Sequence, residues 1–77
     1  MDTINGFPIV ATWHTQARGC ELRGRLIVVD RGTEYDERYV VAWQAEGAKS
    51  WDESAYCETL REAHGVFTRR IFHEVHR

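Results

Sequence analysis

The sequence predicts a single α+β domain, in which an antiparallel sheet of three to four strands carries one C-terminal amphipathic helix packed on one of its faces. Three observations lead to this prediction. Segments rich in β-branched and aromatic residues alternate with turns as far as residue 57. A helix start signal follows at Thr59, and the apolar residues after it recur at steps of three and four. The chain has 77 residues, enough for one domain, so we assign residues 1–77 to it.

The strands are expected at about residues 7–14, 21–30 and 38–45, with a possible short strand at 51–57. The first contains Pro8, which cannot donate to a ladder, so we expect this strand at a sheet edge or beginning after the proline. The second ends in an apolar run, which indicates that one end of it is covered on both faces. The face of the sheet away from the helix is expected to be exposed to water. Alternation in the third strand places on one face Tyr39, Val41, Trp43 and Ala45.

The helix is predicted over about residues 60–76. Thr59 and Glu62 have the spacing of a capping box, in which the Thr59 hydroxyl accepts from the Glu62 amide. A stripe about 120° wide is expected to face the sheet. Its members are Leu60, Ala63, Phe67, Ile71 and Val75. His64 points into the same stripe, and we expect it to be a packed core residue rather than a pH sensor.

Composition and charge narrow the classes of function. The chain is 43% apolar and 29% charged, which is typical of a globular domain. Its formal net charge is −2, so the chain lacks the basic surface that is usual in nucleic-acid-binding proteins. No run of residues is apolar and long enough to span a membrane, and the first residues do not resemble a secretion signal. Two cysteines, Cys20 and Cys57, are too few for a disulfide scaffold, so we expect a cytoplasmic protein with reduced thiols.

The reactive residues do not form a recognisable catalytic or metal site. His73 and His76 are three residues apart on the helix, a spacing that chelates a metal only weakly without further ligands. Cys57 precedes the helix N-terminus, where a thiolate is favoured, and His64 would be its partner in a Cys–His nucleophile pair. No third orienting group has a recognisable spacing, and so short a chain leaves little room for a substrate pocket of several hundred Å³. We therefore predict no enzyme activity, no cofactor and no bound metal.

Aromatic spacing in the C-terminal half carries a resemblance. The residues concerned are those of segment 38–44, Trp51, Asp52, Tyr56, those of segment 60–63, Phe67, Arg69 and Arg70. In this pattern the chain resembles small uncharacterised proteins of actinobacteria and their phages, in which a tryptophan-bearing hairpin leads into a short helix. The resemblance implies an accessory or host-interacting protein that works by binding another macromolecule.

The function expected from the sequence is that of a small non-enzymatic interaction or regulatory module that binds a protein partner, such as an accessory protein of a phage or mobile element. One alternative is a nucleic-acid-binding regulator that uses the helix arginines, Arg61, Arg69, Arg70 and Arg77. A second alternative is a small metal- or thiol-dependent domain that uses Cys57 and the histidines.

A second strip on the helix predicts the interface. On a helical wheel it lies about 100° from the centre of the core stripe. It consists of Arg61, Gly65, Thr68, Phe72 and His76. Phe72 is the large apolar residue of this strip, and Gly65 weakens the helix unless something approaches its backbone closely. We therefore expect a homodimer in which Phe72 of one chain lies near Gly65 of the other.

Overall fold

A computed structural model describes residues 2–15 and 23–76 of the chain. The elements within these residues are β1 Thr3–Ile4, β2 Phe7–His14, β3 Gly24–Asp30, β4 Tyr39–Ala45, β5 Asp52–Cys57 and α1 Leu60–Val75. The strands form one antiparallel sheet in the order β1-β2-β3-β4-β5, so each strand pairs with the next along the chain. The α+β prediction is confirmed, but the expected three to four strands are five. The start of the predicted second strand, residues 21–22, lies outside the described residues.

The additional strand comes from a two-residue hairpin at Asn5 and Gly6. Both residues have positive φ angles, 51° and 82°, as a type I′ turn requires, and Asn-Gly is a preferred pair for this turn. The hairpin pairs Ile4 with Phe7 and Thr3 with Pro8. As a result β2 begins before the proline and has β1 on one side and β3 on the other, so the predicted edge position is wrong.

Both faces of the sheet are buried at its centre. The helix-side core contains the buried residues Val28, Val41, Cys57 and Ala63, with Ala11, Tyr39, Val66 and Phe67 packed against them. The hairpin-side core contains the buried residues Ile4, Ile27, Val29, Val40 and Ala42, flanked by Phe7, Ile9 and Trp51. Because Ile4 belongs to the second core, the N-terminal hairpin covers part of the face that α1 leaves open. The prediction that the apolar run of β3 is covered on both faces is confirmed, and the prediction of a water-exposed face is wrong.

Trp43 is packed on a glycine of the neighbouring strand. A Cβ atom at Gly24 would lie 2.6 Å from Cζ2 of Trp43 and 2.5 Å from the carbonyl oxygen of Gln44, which is too close for any side chain. The indole therefore takes the place that a side chain at Gly24 would occupy. Covering by an aromatic ring offsets the weakness of a glycine within a strand.

The helix begins as the sequence predicts, but its buried side is rotated. Thr59 is the N-cap, and its hydroxyl accepts a hydrogen bond of 3.1 Å from the Glu62 amide. Leu60, His64 and Val75 are exposed, which corrects their assignment to the core. The residues that are buried or half-buried are instead Ala63, Val66, Phe67, Arg70, Ile71 and Glu74.

The rotation follows from the way that Ala63 and Arg70 meet the sheet. Ala63 is fully buried in the helix-side core, and its small side chain allows the helix backbone to approach closely. Arg70, two turns later on the same side, donates to backbone carbonyls of the sheet. At 100° per residue, Val75 lies about 120° from Ala63 around the axis and so turns toward solvent. Leu60 lies at the angle of the buried side, but it is the first residue of the helix and is exposed there. Among the described residues, no helix is long and apolar enough to cross a membrane.

Candidate interaction surface

One side of α1 faces away from the sheet and is exposed along the whole helix. All five residues of the predicted interface, Arg61, Gly65, Thr68, Phe72 and His76, are exposed on this side. Val75 adjoins them and is 51% exposed. We call these six residues the outer strip. The strip is more apolar than the sequence predicted, because Val75 lies outside the core; a binding role for it stays a prediction.

Phe72 is the most exposed large apolar side chain of the outer strip, at 63%. Its ring packs against the imidazole of His76, with ring centroids 4.2 Å apart and an angle of 36° between the planes. The His76 amide donates a 3.0 Å hydrogen bond to the Phe72 carbonyl and so closes the last turn of the helix. The ring is therefore held by the helix end and presents most of its surface to solvent.

Gly65 leaves a gap in the outer strip. In the described part of the chain, a Cβ atom placed at Gly65 would meet nothing within 4 Å beyond the helix itself, so internal packing does not require glycine there. Glycine in a helix interior costs roughly 1 kcal/mol relative to alanine. Thr68, three residues later, donates its hydroxyl to the His64 carbonyl at 2.8 Å and is thereby tied to the helix backbone. The helix backbone is accessible from solvent at the middle of the strip.

The three helix arginines that the structure describes do not share one surface. Arg61 and Arg69 are exposed, whereas Arg70 is half-buried and directed at the sheet. Arg77 lies outside the described residues. Arg61 and Arg69 are about 80° apart around the helix and more than two turns apart along it. Two separated arginines supply little of the basic footprint that nucleic-acid binding needs.

Cys57 and His64 do not form a nucleophile pair. Cys57 is buried in the helix-side core, where its Sγ atom lies 4.0 Å from the Ala55 carbonyl. Burial raises the pKa of the Cys57 thiol, and the negative charges of Glu62 and Glu37 raise it further. The side chain of His64 is exposed, so the expectation of a packed core histidine is wrong. The thiol is both protonated and covered at neutral pH, which is the opposite of an activated nucleophile.

The other potential metal ligands in the described part of the chain do not converge. His73 is exposed on α1, and His76 stacks on Phe72. In residues 2–15 and 23–76, no group of three or more His, Cys, Asp or Glu side chains is placed to hold a metal ion. Cys20 lies outside these ranges.

The sheet face opposite α1 carries an aromatic stack that the sequence did not predict. The Arg31 guanidinium lies 4.2 Å from the ring centroid of Tyr35 and 4.9 Å from that of Tyr56. Tyr35 in turn meets Phe7 edge-on, with centroids 5.8 Å apart. Each cation–π contact contributes about 0.5 to 1 kcal/mol at an exposed site. Because the guanidinium of the chain itself contacts both tyrosine rings, the stack stabilises the fold rather than forming an open cage for an external cation.

A polar cleft of about 450 Å³ lies at one end of the sheet, beside His14 and Arg25. Its size is that of the pockets for which so short a chain was expected to have little room. Arg25 donates to the Gln44 side chain at 2.8 Å and pairs with the carboxylate of Asp2. Gln44 donates to the Ala48 carbonyl, also at 2.8 Å. These polar groups satisfy one another, so they do not converge on a substrate.

Comparison with known proteins finds no family model, no curated protein and no solved structure that matches the chain. Among the described residues, the outer strip is the feature most typical of a binding surface, because it combines exposed apolar side chains with accessible helix backbone.

Proposed function

We propose that this chain is a small non-enzymatic interaction module that binds another protein chain through the outer strip of α1. One observation carries the proposal: Phe72 and Val75 lie one turn apart on the side of α1 that faces away from the sheet, and each is more than half exposed. A helix packed on a sheet buries one stripe of its surface, and here a second apolar strip remains uncovered. Grouped exposed apolar side chains with polar residues around them are typical of interaction sites.

The spacing of the apolar residues fits recognition of a helix by a groove or by a second helix. In such complexes the anchoring side chains follow one another at i, i+3, i+4 and i+7. Phe72 and Val75 stand at i+4 and i+7 of this pattern, and the polar Thr68 stands at i. Aromatic side chains commonly supply most of the energy of an interface, so Phe72 is the expected anchor.

The burial of Cys57 supports an accessory or regulatory role rather than a chemical one. The sequence left open a reactive pair of Cys57 and His64, and the two side chains lie in different surroundings, one in the core and one in solvent. The resemblance to small proteins of actinobacteria and their phages implies the same kind of role. The proposal places the module in the cytoplasm, where a free thiol stays reduced.

A capture experiment with matched variants tests the proposal. The immobilised protein is exposed to a lysate of its source cells, and each captured protein is purified and titrated against the variants. Phe72→Glu introduces a charge into the outer strip, and His73→Glu introduces the same charge at an exposed position about 100° away around the helix. We expect the purified partner to bind the unmodified protein and His73→Glu alike, and Phe72→Glu at least about tenfold more weakly.

Equal affinities for all three proteins would contradict the proposal, because the strip would then not be the binding surface. A larger loss in His73→Glu than in Phe72→Glu would contradict it as well. Circular dichroism of each variant checks that the fold is kept.

A further inference from the structure

We infer that the protein chain that docks on the outer strip is a second copy of this chain, joined in an antiparallel helix pair around a two-fold axis near Thr68. The inference rests on the proposed function and names its partner. A two-fold axis at this position makes the strip face itself, so that every contact occurs twice.

The outer strip has a projection and a gap at similar distances from Thr68. Phe72 lies four residues after Thr68, and Gly65 lies three residues before it. In an antiparallel pair, each Phe72 ring therefore meets Gly65 of the other copy. The ring is 63% exposed, and the space above Gly65 is open among the described residues. The ring would occupy the place of the missing Cβ atom, which gives this helical glycine a role that packing within one chain does not.

The charges of the strip favour the antiparallel orientation. Arg61 stands in the first turn of α1, and His76 is the cap at its end. An antiparallel pair places each Arg61 guanidinium beside the last turn of the other helix, whose free carbonyl groups carry partial negative charge. A parallel pair would bring the two Arg61 side chains together and align the two helix dipoles unfavourably. Shape and charge thus select the same orientation.

The size of the strip determines the strength of the pairing. α1 has 16 residues, so it is about 24 Å long, and a helix with its side chains is about 10 Å across. Two such faces bury an area in the range below about 1,200 Å² that is usual for weak, transient interfaces. We therefore expect a dimer that forms at micromolar or higher concentration and dissociates on dilution.

Sedimentation equilibrium from low micromolar to millimolar concentration measures this association. A monomer has a mass of 9.0 kDa, and we expect the average mass to rise toward twice that value with concentration. Phe72→Glu is expected to remain monomeric and folded, because Phe72 is exposed in the single chain. His73→Glu is the control and is expected to associate like the unmodified protein.

Gly65→Ala separates association from helix stability. Alanine is the better helix former and meets open space in a single chain, so the melting temperature at low micromolar concentration should rise. In the dimer the added methyl group occupies the place of the Phe72 ring, so association should weaken by about tenfold. A higher melting temperature with unchanged association would overturn the placement of Phe72 against Gly65.

Disulfide trapping tests the position of the two-fold axis. In a Cys20→Ser background, Thr68→Cys places two thiols near the axis, and mild oxidation should give a covalent dimer. His73→Cys is the control, since it is also exposed and lies about 140° around the helix from Thr68. We expect Thr68→Cys to cross-link at least about tenfold faster than His73→Cys, because only it brings the thiols within bonding distance. Equal rates would overturn the antiparallel pair.

Failure of this inference is distinguishable from failure of the proposed function. If the unmodified protein stays at 9.0 kDa up to millimolar concentration while Phe72→Glu loses a captured partner, the second copy is ruled out and the strip binds a different protein. If Phe72→Glu changes neither the average mass nor the affinity for a captured partner, both the pairing of two copies and the binding role of the outer strip are overturned.

Discussion

The guanidinium of Arg70 in α1 donates a 2.6 Å hydrogen bond to the backbone carbonyl of Glu53 in β5. The same Nη1 atom lies 3.4 Å from the carbonyl oxygen of Val41 in β4. Both carbonyls are close to the point where the pairing of β4 and β5 shifts register, between Val41 and Trp43. A bulge of this kind disrupts the ladder locally and leaves backbone groups without strand partners. Arg70 supplies a donor from the helix, so the helix and the irregular part of the sheet stabilise each other.

Replacing Arg70 by methionine tests this link. Arg70→Met keeps an unbranched side chain but removes the donors, so we expect the free energy of unfolding to fall by roughly 1 to 3 kcal/mol. Arg69→Met, at an exposed neighbouring position, should change it by no more than about 0.5 kcal/mol. Urea denaturation of the two variants measures the difference. Similar losses in both would show that Arg70 contributes nothing through these carbonyls.

Glu53 has a backbone conformation that glycine would adopt more easily. Its φ angle is 51°, in the left-handed region that costs a residue with a side chain roughly 1 to 2 kcal/mol. We expect Glu53→Gly to raise the free energy of unfolding by roughly 0.5 to 1 kcal/mol, since relief of strain exceeds the added freedom of the unfolded chain. Ser54→Gly, at the next position of the strand, should lower it by a similar amount. Thermal denaturation would contradict the prediction if both variants were destabilised.

The two phenylalanines of α1 lie in different surroundings. Phe67 packs against the helix-side core, whereas Phe72 is mostly exposed. Phe67→Ala should lower the free energy of unfolding by roughly 2 to 4 kcal/mol, somewhat less than for a fully buried ring. Phe72→Ala, measured at low micromolar concentration where the proposed dimer is dissociated, should change it by no more than about 0.5 kcal/mol. Equal effects of the two substitutions would mean that the buried side of the helix is assigned wrongly.

The features that the sequence predicted correctly depend on neighbours along the chain. The cap at Thr59 requires only the amide of Glu62, three residues away, and it is present. The β1 hairpin was also encoded locally, in Asn5 and Gly6, but a two-residue strand is too short to show any hydrophobic pattern. A turn signal without a strand pattern beside it does not by itself predict a strand.

The features that the sequence predicted wrongly depend on contacts between distant elements. Hydropathy placed Val75 in the core and left Arg70 outside, because a helical wheel does not include the carbonyls that Arg70 reaches in β4 and β5. The contacts of Arg31 with Tyr35 and Tyr56 were missed for the same reason, since the two tyrosines are 21 residues apart along the chain. The exposure of Phe72, in contrast, was predictable, because it follows from its angle to the rest of the helix.

Asp30 makes stability depend on pH. Its carboxylate accepts hydrogen bonds of 2.7 and 2.9 Å from Arg38 and one of 2.8 Å from the Gly32 amide. The hydrogen bonds from Arg38 lower the pKa of Asp30, the Gly32 amide and the charge of Arg38 lower it further, and burial acts in the opposite direction. The folded state therefore binds this proton less tightly than the unfolded state does.

The stabilisation by Asp30 is complete above the unfolded carboxyl pKa of about 3.9 and is lost as the pH falls through the lower pKa of the folded state. We therefore expect Asp30→Asn to be less stable than the unmodified protein at neutral pH and to approach it in stability near pH 2. Asp36→Asn, which removes an exposed carboxylate from the same connection, is the control. Urea denaturation at several pH values gives the two curves, and parallel curves for Asp30→Asn and the unmodified protein would contradict the prediction.

Cys57 should be nearly inert in the folded protein. Alkylation requires both a thiolate and access to the sulfur, and Cys57 is 4% exposed with a raised pKa. In a Cys20→Ser background, we expect iodoacetamide to modify native Cys57 at least about a hundredfold more slowly than the urea-unfolded chain, because modification must await opening of the core. Thr68→Cys in the same background provides an exposed reference thiol on the same helix and should react at the unfolded rate.

Phe67→Ala should accelerate modification of Cys57, because it weakens the packing of the helix over this core. Fast modification of Cys57 in the folded, unmodified protein would instead show an accessible, activated thiol and would favour the thiol-dependent alternative over an interaction module.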